Sequence, residues 1–314
     1  MSVDRINIST TLGGNTGKTT GDVRMGRPKA FLFTRGKEFT EAQRADSESF
    51  EAALEAAMLL SRTSVNKVFP FSGFREADGG VGDPNVATLG DGYEEVLNES
   101  LPKYTLKHTA GAAQTQSLVA FNGWTDKVYV IDDKNILWGV KNSSNGVKGF
   151  SVGYLFANPP AFGNTGAINV NLVKITFGTT EEFKSGLVAL KLDFNVTDLV
   201  SIVDVQLEEV AAASGLAFKI GAKTKYAGTD IFESYADSLA VVGAWKITKV
   251  SDGSSVSVSS VAKDTTNKCW TVTAAAGPTS GTELKIELQD PTTLAGLTTA
   301  VEGIESVYVK VTAP

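Results

Sequence analysis

The chain has one cysteine, one histidine and no apolar stretch approaching the length of a membrane span. Each scarcity removes a class of function. A lone Cys269 cannot form an intrachain disulfide and fits folding in a reducing compartment. One histidine, His108, and one cysteine cannot build a zinc site unless two carboxylates are recruited from elsewhere. A membrane helix needs roughly 20 apolar residues in a row, and no run comes near that. The first residues, MSVDRINISTTLGG, contain one arginine and no apolar core, so no secretory leader is expected. The Asn-x-Ser/Thr triplets at Asn7, Asn98, Asn142 and Asn195 then read as chance matches.

What is present describes a soluble globular protein. With 314 residues, 42% hydrophobic and 20% charged, two domains with ample core are expected. The net charge of −6 is unevenly spread. Residues 1–45 hold eight basic side chains (Arg5, Lys18, Arg24, Arg27, Lys29, Arg35, Lys37, Arg44) against four acids. Residues 46–100 hold eleven acids against Arg62, Lys67 and Arg75. A solvated face accounts for such clusters. The sharper alternative is a basic arm (Arg24, Arg27, Lys29) docking on the acidic zone of a neighbouring copy, with Glu48, Glu51, Glu55, Asp78 and Asp83 as its partners.

Local patterning predicts mostly strands. Residues 1–28 are rich in Gly, Thr, Ser and Asn and read as an arm or extended loop. Ala30–Phe33 is the first strand. Thr40-Glu-Ala-Gln43 has capping-box spacing, Asp46 or Ser47 offers a second start, and SFEAALEAAMLLSR is amphipathic at the helical period over about 47–61. Pro70 confines Val65–Phe71 to an edge or strand end, and 76–85 (EADGGVGDPN) reads as an exposed, mobile loop. Further strands are expected at 94–97, 104–108, 116–121, 127–131, 136–140, 150–156, 167–177 and 187–196. In KVYVIDDKNILWGV, two β-type runs flank a polar turn, with Asp132 and Asp133 solvated there. One helix among eight or more strands indicates a β-sandwich or barrel with a packed helix over 1–203.

A second unit, 204–314, opens with Val203–Leu207, an Ala/Gly/Thr-rich connection and a helical turn at 231–239. Strands follow at 243–250, 255–261, 268–273, 283–288 and 306–312, with a turn through Asp252-Gly253. Alternation of apolar and hydroxyl residues in SVSVSSVA and CWTVT indicates an immunoglobulin-like sandwich without the disulfide frame.

Catalytic motifs fail on spacing. GGNTGKTT (13–20) lacks the first glycine of a phosphate-binding loop and has no helix after it. Gly149-Phe-Ser-Val-Gly153 spells a nucleophile elbow but continues as strand, and His108 precedes the serine. His108 reads as a surface residue at a strand end. Cys269 reads as a small core or edge residue, and Trp124, Trp138, Trp245 and Trp270 as core on strands. The Asp78/Asp83 loop lacks the alternating acids of a calcium loop. No catalytic residue, cofactor or metal is expected.

The order of these features resembles structural proteins of tailed bacteriophages. It runs from the arm through SFEAALEAAMLL, FPFSGFREADGG and FNGW to KVYVIDDKNILWGVK, KGFSVGYLFANPP and TGAINVNLVKITFGTTEEF. Over about 30–200 the chain is most similar to tail tube proteins. GAWKITKVSDGSSVSVSSVA and VYVKVTAP look like the immunoglobulin-like domains appended to phage virion proteins. The resemblance implies a non-enzymatic virion protein, assembled in the bacterial host cytoplasm. Its partners would be copies of itself in stacked rings, other virion proteins and passing genomic DNA held without specific binding. A capsid-decoration or head–tail connector role is the alternative, and a glycan-binding adhesin module a third.

Overall fold

The computed structural model describes residues 5–7, 24–88, 90, 92–109, 111–162 and 170–314. The chain divides into two compact units: Met1–Met58 with Thr63–Leu199, and Leu59–Arg62 with Val200–Pro314. Both are mainly β, of sandwich or barrel type, with few helices.

The first unit runs β1 (Arg5–Asn7), β2 (Pro28–Thr34), β3 (Glu38–Phe39), α1 (Glu41–Ala45), α2 (Ser47–Met58), β4 (Val68–Ser72) and β5 (Phe74–Gly80). Then come β6 (Asn85–Thr88), β7 (Glu94–Asn98), β8 (Lys103–His108), α3 (Ala112–Val119), β9 (Lys127–Asp132), β10 (Ile136–Lys141) and β11 (Val147–Lys148). It closes with β12 (Phe150–Ala157), β13 (Asn171–Phe177), α4 (Glu181–Lys184) and β14 (Leu187–Lys191). All strands except β6 and β7 join one sheet with the path β1-β14-β10-β9-β12-β13-β8-β5. β2 pairs with β9 and β4, and β11 with β10 and β3.

Apolar residues on both faces of the central strands give this sheet two cores. Phe31 and Phe33 of β2 lie opposite Val130 and Val128 of β9. With Trp138, Val152, Leu155, Ile175 and Phe177 they fill one side as the sheet folds over itself. β12 makes the corner: Phe150 and Ser151 pair with β9, and the rest of the strand pairs with β13. On the other face Leu32, Tyr129, Ile131 and Leu137 receive Phe50, Leu54, Ala57 and Met58 of α2. Burying Phe50 and Leu54 contributes roughly 1.5–3 kcal/mol each. Thr40 and Gln43 form the expected capping box of α1, and the Lys67 ammonium donates to the Met58 carbonyl at the end of α2.

Several expectations need correction. α2 ends at Met58 rather than 61. Gln116–Phe121 is no strand: α3 covers Ala112–Val119, because Ala, Gln and Leu are good helix formers and Leu118 is its buried contact. Residues 76–80 are strand, since β8 supplies their backbone partners. His108 is buried, and Trp124 is half-buried just after a turn, against Phe33, Phe69 and Phe121. Leu187–Val196 keeps strand only to Lys191. Arg5–Asn7 pairs with β14, whereas the phosphate-loop look-alike at 13–20 and residues 167–169 lie outside the described residues.

The second unit comprises β15 (Val203–Ser214), β16 (Ala217–Thr224), α5 (Phe232–Tyr235), β17 (Trp245–Lys249), β18 (Ser255–Val256) and β19 (Val258–Asp264). β20 (Cys269–Ala274), β21 (Glu283–Leu288), α6 (Pro291–Ala295), β22 (Ile304–Val307) and β23 (Val309–Thr312) complete it. Two sheets, β19-β20-β16-β15-β22 and β18-β17-β21-β23, enclose a core around Trp245, Trp270, Phe218 and Ile286. The indoles donate to the Leu239 and Ala236 carbonyls at 2.8 and 3.1 Å. The stretch expected as an Ala/Gly/Thr-rich connection is instead the long β15–β16 hairpin, turning at Gly215 with φ 60°.

Candidate interaction surface

The basic residues expected to form an arm are pinned to the β9–β10 turn. Asp132 is 1% exposed, not solvated. Its carboxylate accepts from Gly26 N (2.9 Å), Lys134 N (2.9 Å), Ile136 N (3.0 Å) and Trp138 Nε1 (2.9 Å). Asp133 accepts from Arg27 N at 3.2 Å and donates its own N–H to the Arg27 carbonyl at 2.9 Å. The backbone approaches closely at Gly26, where a Cβ would lie 2.2 Å from Asp133 Oδ1 and 3.0 Å from Asp132 Oδ2. Asn135 completes the turn at φ 60°, its amide donating to the Leu192 and Phe194 carbonyls. Arg24, Arg27 and Lys29 are exposed beside this turn, and Arg27 Nη1 reaches the Arg75 carbonyl of β5 at 3.0 Å.

None of these cations pairs with the five acids named as partners. Glu48 is exposed and Glu51 and Glu55 half-buried on α2, which covers the other core. Asp78, on β5, sits 3.3 Å from Lys107 Nζ, and Asp83 is exposed at the root of the β6–β7 hairpin. Its carbonyl accepts from Ser100 Oγ at 2.6 Å.

That hairpin is strongly exposed. Among the described residues β6 and β7 pair only with each other, and every residue of β7 is exposed. Val86, Tyr93, Val96, Leu97 and Leu101 present apolar surface to solvent, beside Glu94 and Glu95. A lone two-stranded hairpin is marginal in water. β5 and β4 are also edges among the described residues, pairing only with β8 and β2 respectively.

A second exposed region lies on the outer face of β12-β13-β8-β5. Tyr154 (48% exposed) and Phe156 (36%) stand side by side, ring centroids 6.2 Å apart and planes within 6°. Across the sheet, Lys174 lies opposite Phe156, and Lys103 opposite Thr176. Among the described residues neither lysine has an ion pair, whereas Lys107 contacts both Glu76 and Asp78, which hold it above the usual lysine range. Sequence alternation misses this face because a bulge between Val152 and Tyr154 inverts the phase of β12. Without it, Tyr154 and Phe156 would share the inward side of Phe150 and Val152.

No protein-family model matches this chain. No curated protein sequence matches it either.

The elbow-like serine has neighbours that sequence order concealed. Ser151 Oγ donates to Glu182 Oε1 (2.8 Å) and accepts from Lys127 Nζ (2.7 Å), while Ser151 N donates to Glu182 Oε2 (2.7 Å). Gly178 N donates to the Ser151 carbonyl at 2.8 Å. The network ties the β12 corner to β9 and α4. Among the described residues, no group of three His, Cys, Asp or Glu is placed to hold a metal. No described helix is long and apolar enough to cross a membrane.

Proposed function

We propose that this protein is a self-assembling phage virion component, a tail tube protein whose copies stack as rings into a DNA conduit. The self-assembly half is supported by the β6–β7 hairpin, which among the described residues pairs only with itself and exposes Val86, Val96 and Leu97. Exposed apolar side chains on an otherwise solvated hairpin suit an interaction site. Open edges at β4 and β5 and the Tyr154/Phe156 face supply further, different surfaces. Rings and stacks need such heterologous contacts, because one patch must fit another on the next copy. The tube half rests on the sequence resemblance. In this reading no chemistry is performed and no metal or cofactor is required.

Sedimentation velocity over a wide protein and salt range tests the assembly. The full chain should grow with concentration, whereas Val96→Thr with Leu97→Ser should remain monomeric and folded. A full-length chain sedimenting as a monomer throughout would overturn the reading. Association only with preformed shells would favour the decoration role instead.

A further inference from the structure

His108, the chain's only histidine, is 1% exposed, and among the described residues neither ring nitrogen has a hydrogen-bond partner. It closes β8 on the inward face, opposite Phe74 of β5 and Asn171 of β13, with the Phe74 ring edge-on at 6.2 Å. A buried polar group left unpaired is costly, and a buried unpaired charge far more so. Among the described residues packed against it, no charge faces the imidazole to offset this. Phe74 and Asn171 are neutral, and α3, which follows, has no ionisable residue. Arg75 beside Phe74 is exposed and cationic, while Lys107, Glu76 and Asp78 pair with one another on the opposite face.

We infer that His108 is an acid-sensitive latch: a proton on its buried ring releases β5 and β8, the two strands from which the β6–β7 hairpin projects. The sign follows from where the proton binds. Burial pushes the imidazole below its ordinary value. Below about pH 6.5 the opened chain therefore takes up a proton that the closed sheet refuses, and stability falls as pH falls. If the closed form stays neutral, opening at pH 5 rises about 30-fold over its value at pH 7.5. Carboxylates act in a different window: the displaced ones, Asp46, Glu99, Asp252, Asp264 and Asp290, are held below their usual range, so the stability they contribute is lost only below about pH 4.

Peptide-resolved hydrogen exchange, normalised for intrinsic pH dependence, provides the test. Peptides spanning β5 and β8 should lose protection by roughly that factor between pH 7.5 and 5, and His108→Phe or His108→Leu should flatten the dependence. Equal pH dependence in wild type and variant would overturn the latch. If neither variant folds, an NMR titration of the single imidazole in the wild type decides. A ring that titrates near pH 6.5 while β5 and β8 stay protected would also overturn it. The result does not depend on assembly, so it fails or stands separately from the tube reading.

Discussion

Replacing Asp132 should damage the first unit and leave the second untouched. Four N–H donors converge on its carboxylate, and two of them, Ile136 N and Trp138 Nε1, are fully buried. Water can reach the other two once the carboxylate is gone. A buried donor left without an acceptor costs about 1–3 kcal/mol, so Asp132→Ala is expected to cost about 2–6 kcal/mol. Asp132→Asn is isosteric but must turn its NH2 toward two of the four donors in either orientation. It should cost about half as much. Against a typical stability of about 5–15 kcal/mol, either loss is easily measured. Urea unfolding followed by peptide-resolved exchange gives each unit its own midpoint. First-unit peptides should shift and those of β15–β23 should not. A loss below about 1 kcal/mol for Asp132→Ala, or an equal shift in both units, would refute the assignment of Asp132 as the organiser of this turn.

Three other outcomes follow from the same geometry. Leu54→Ala, at a fully buried contact of α2, should lower first-unit stability by about 2–5 kcal/mol in the same urea experiment. Tyr154→Ser with Phe156→Ser should leave thermal unfolding nearly unchanged but weaken self-association, read by light scattering; unchanged scattering would remove that face from the interface. Reversing Arg24, Arg27 and Lys29 to Glu should weaken assembly more than folding, because their side chains are exposed while the segment is held by backbone bonds to Asp132 and Asp133. Unchanged assembly would exclude them from the contact.

Much of the fold was legible where local preference and tertiary demand agree. The runs Val128–Ile131 and Ile136–Trp138 are β-formers around a polar turn, and they become the two-faced centre of the sheet. The helical period of SFEAALEAAM places Phe50, Leu54, Ala57 and Met58 on the buried side. Legibility failed where distant partners decide. Gly79 and Gly80, at φ 130° and 147°, look like loop residues but pair with β8. The Ala-rich stretch after Leu207 has weak strand preference, yet β16 holds it extended. The burial of Asp132 and His108 depends on chain segments over 30 residues away, which no local pattern encodes. Most consequential was the β12 bulge. It turns Tyr154 and Phe156 outward and so hides an exposed aromatic face from any argument based on strict alternation.

Negative-stain imaging of the purified full chain, taken across protein and salt concentration, tests the central claim most directly. The account predicts hollow rings that stack into tubes, lost when the β6–β7 hairpin carries Val96→Thr and Leu97→Ser. A field of single, compact particles under every condition, identical for both proteins, would contradict it.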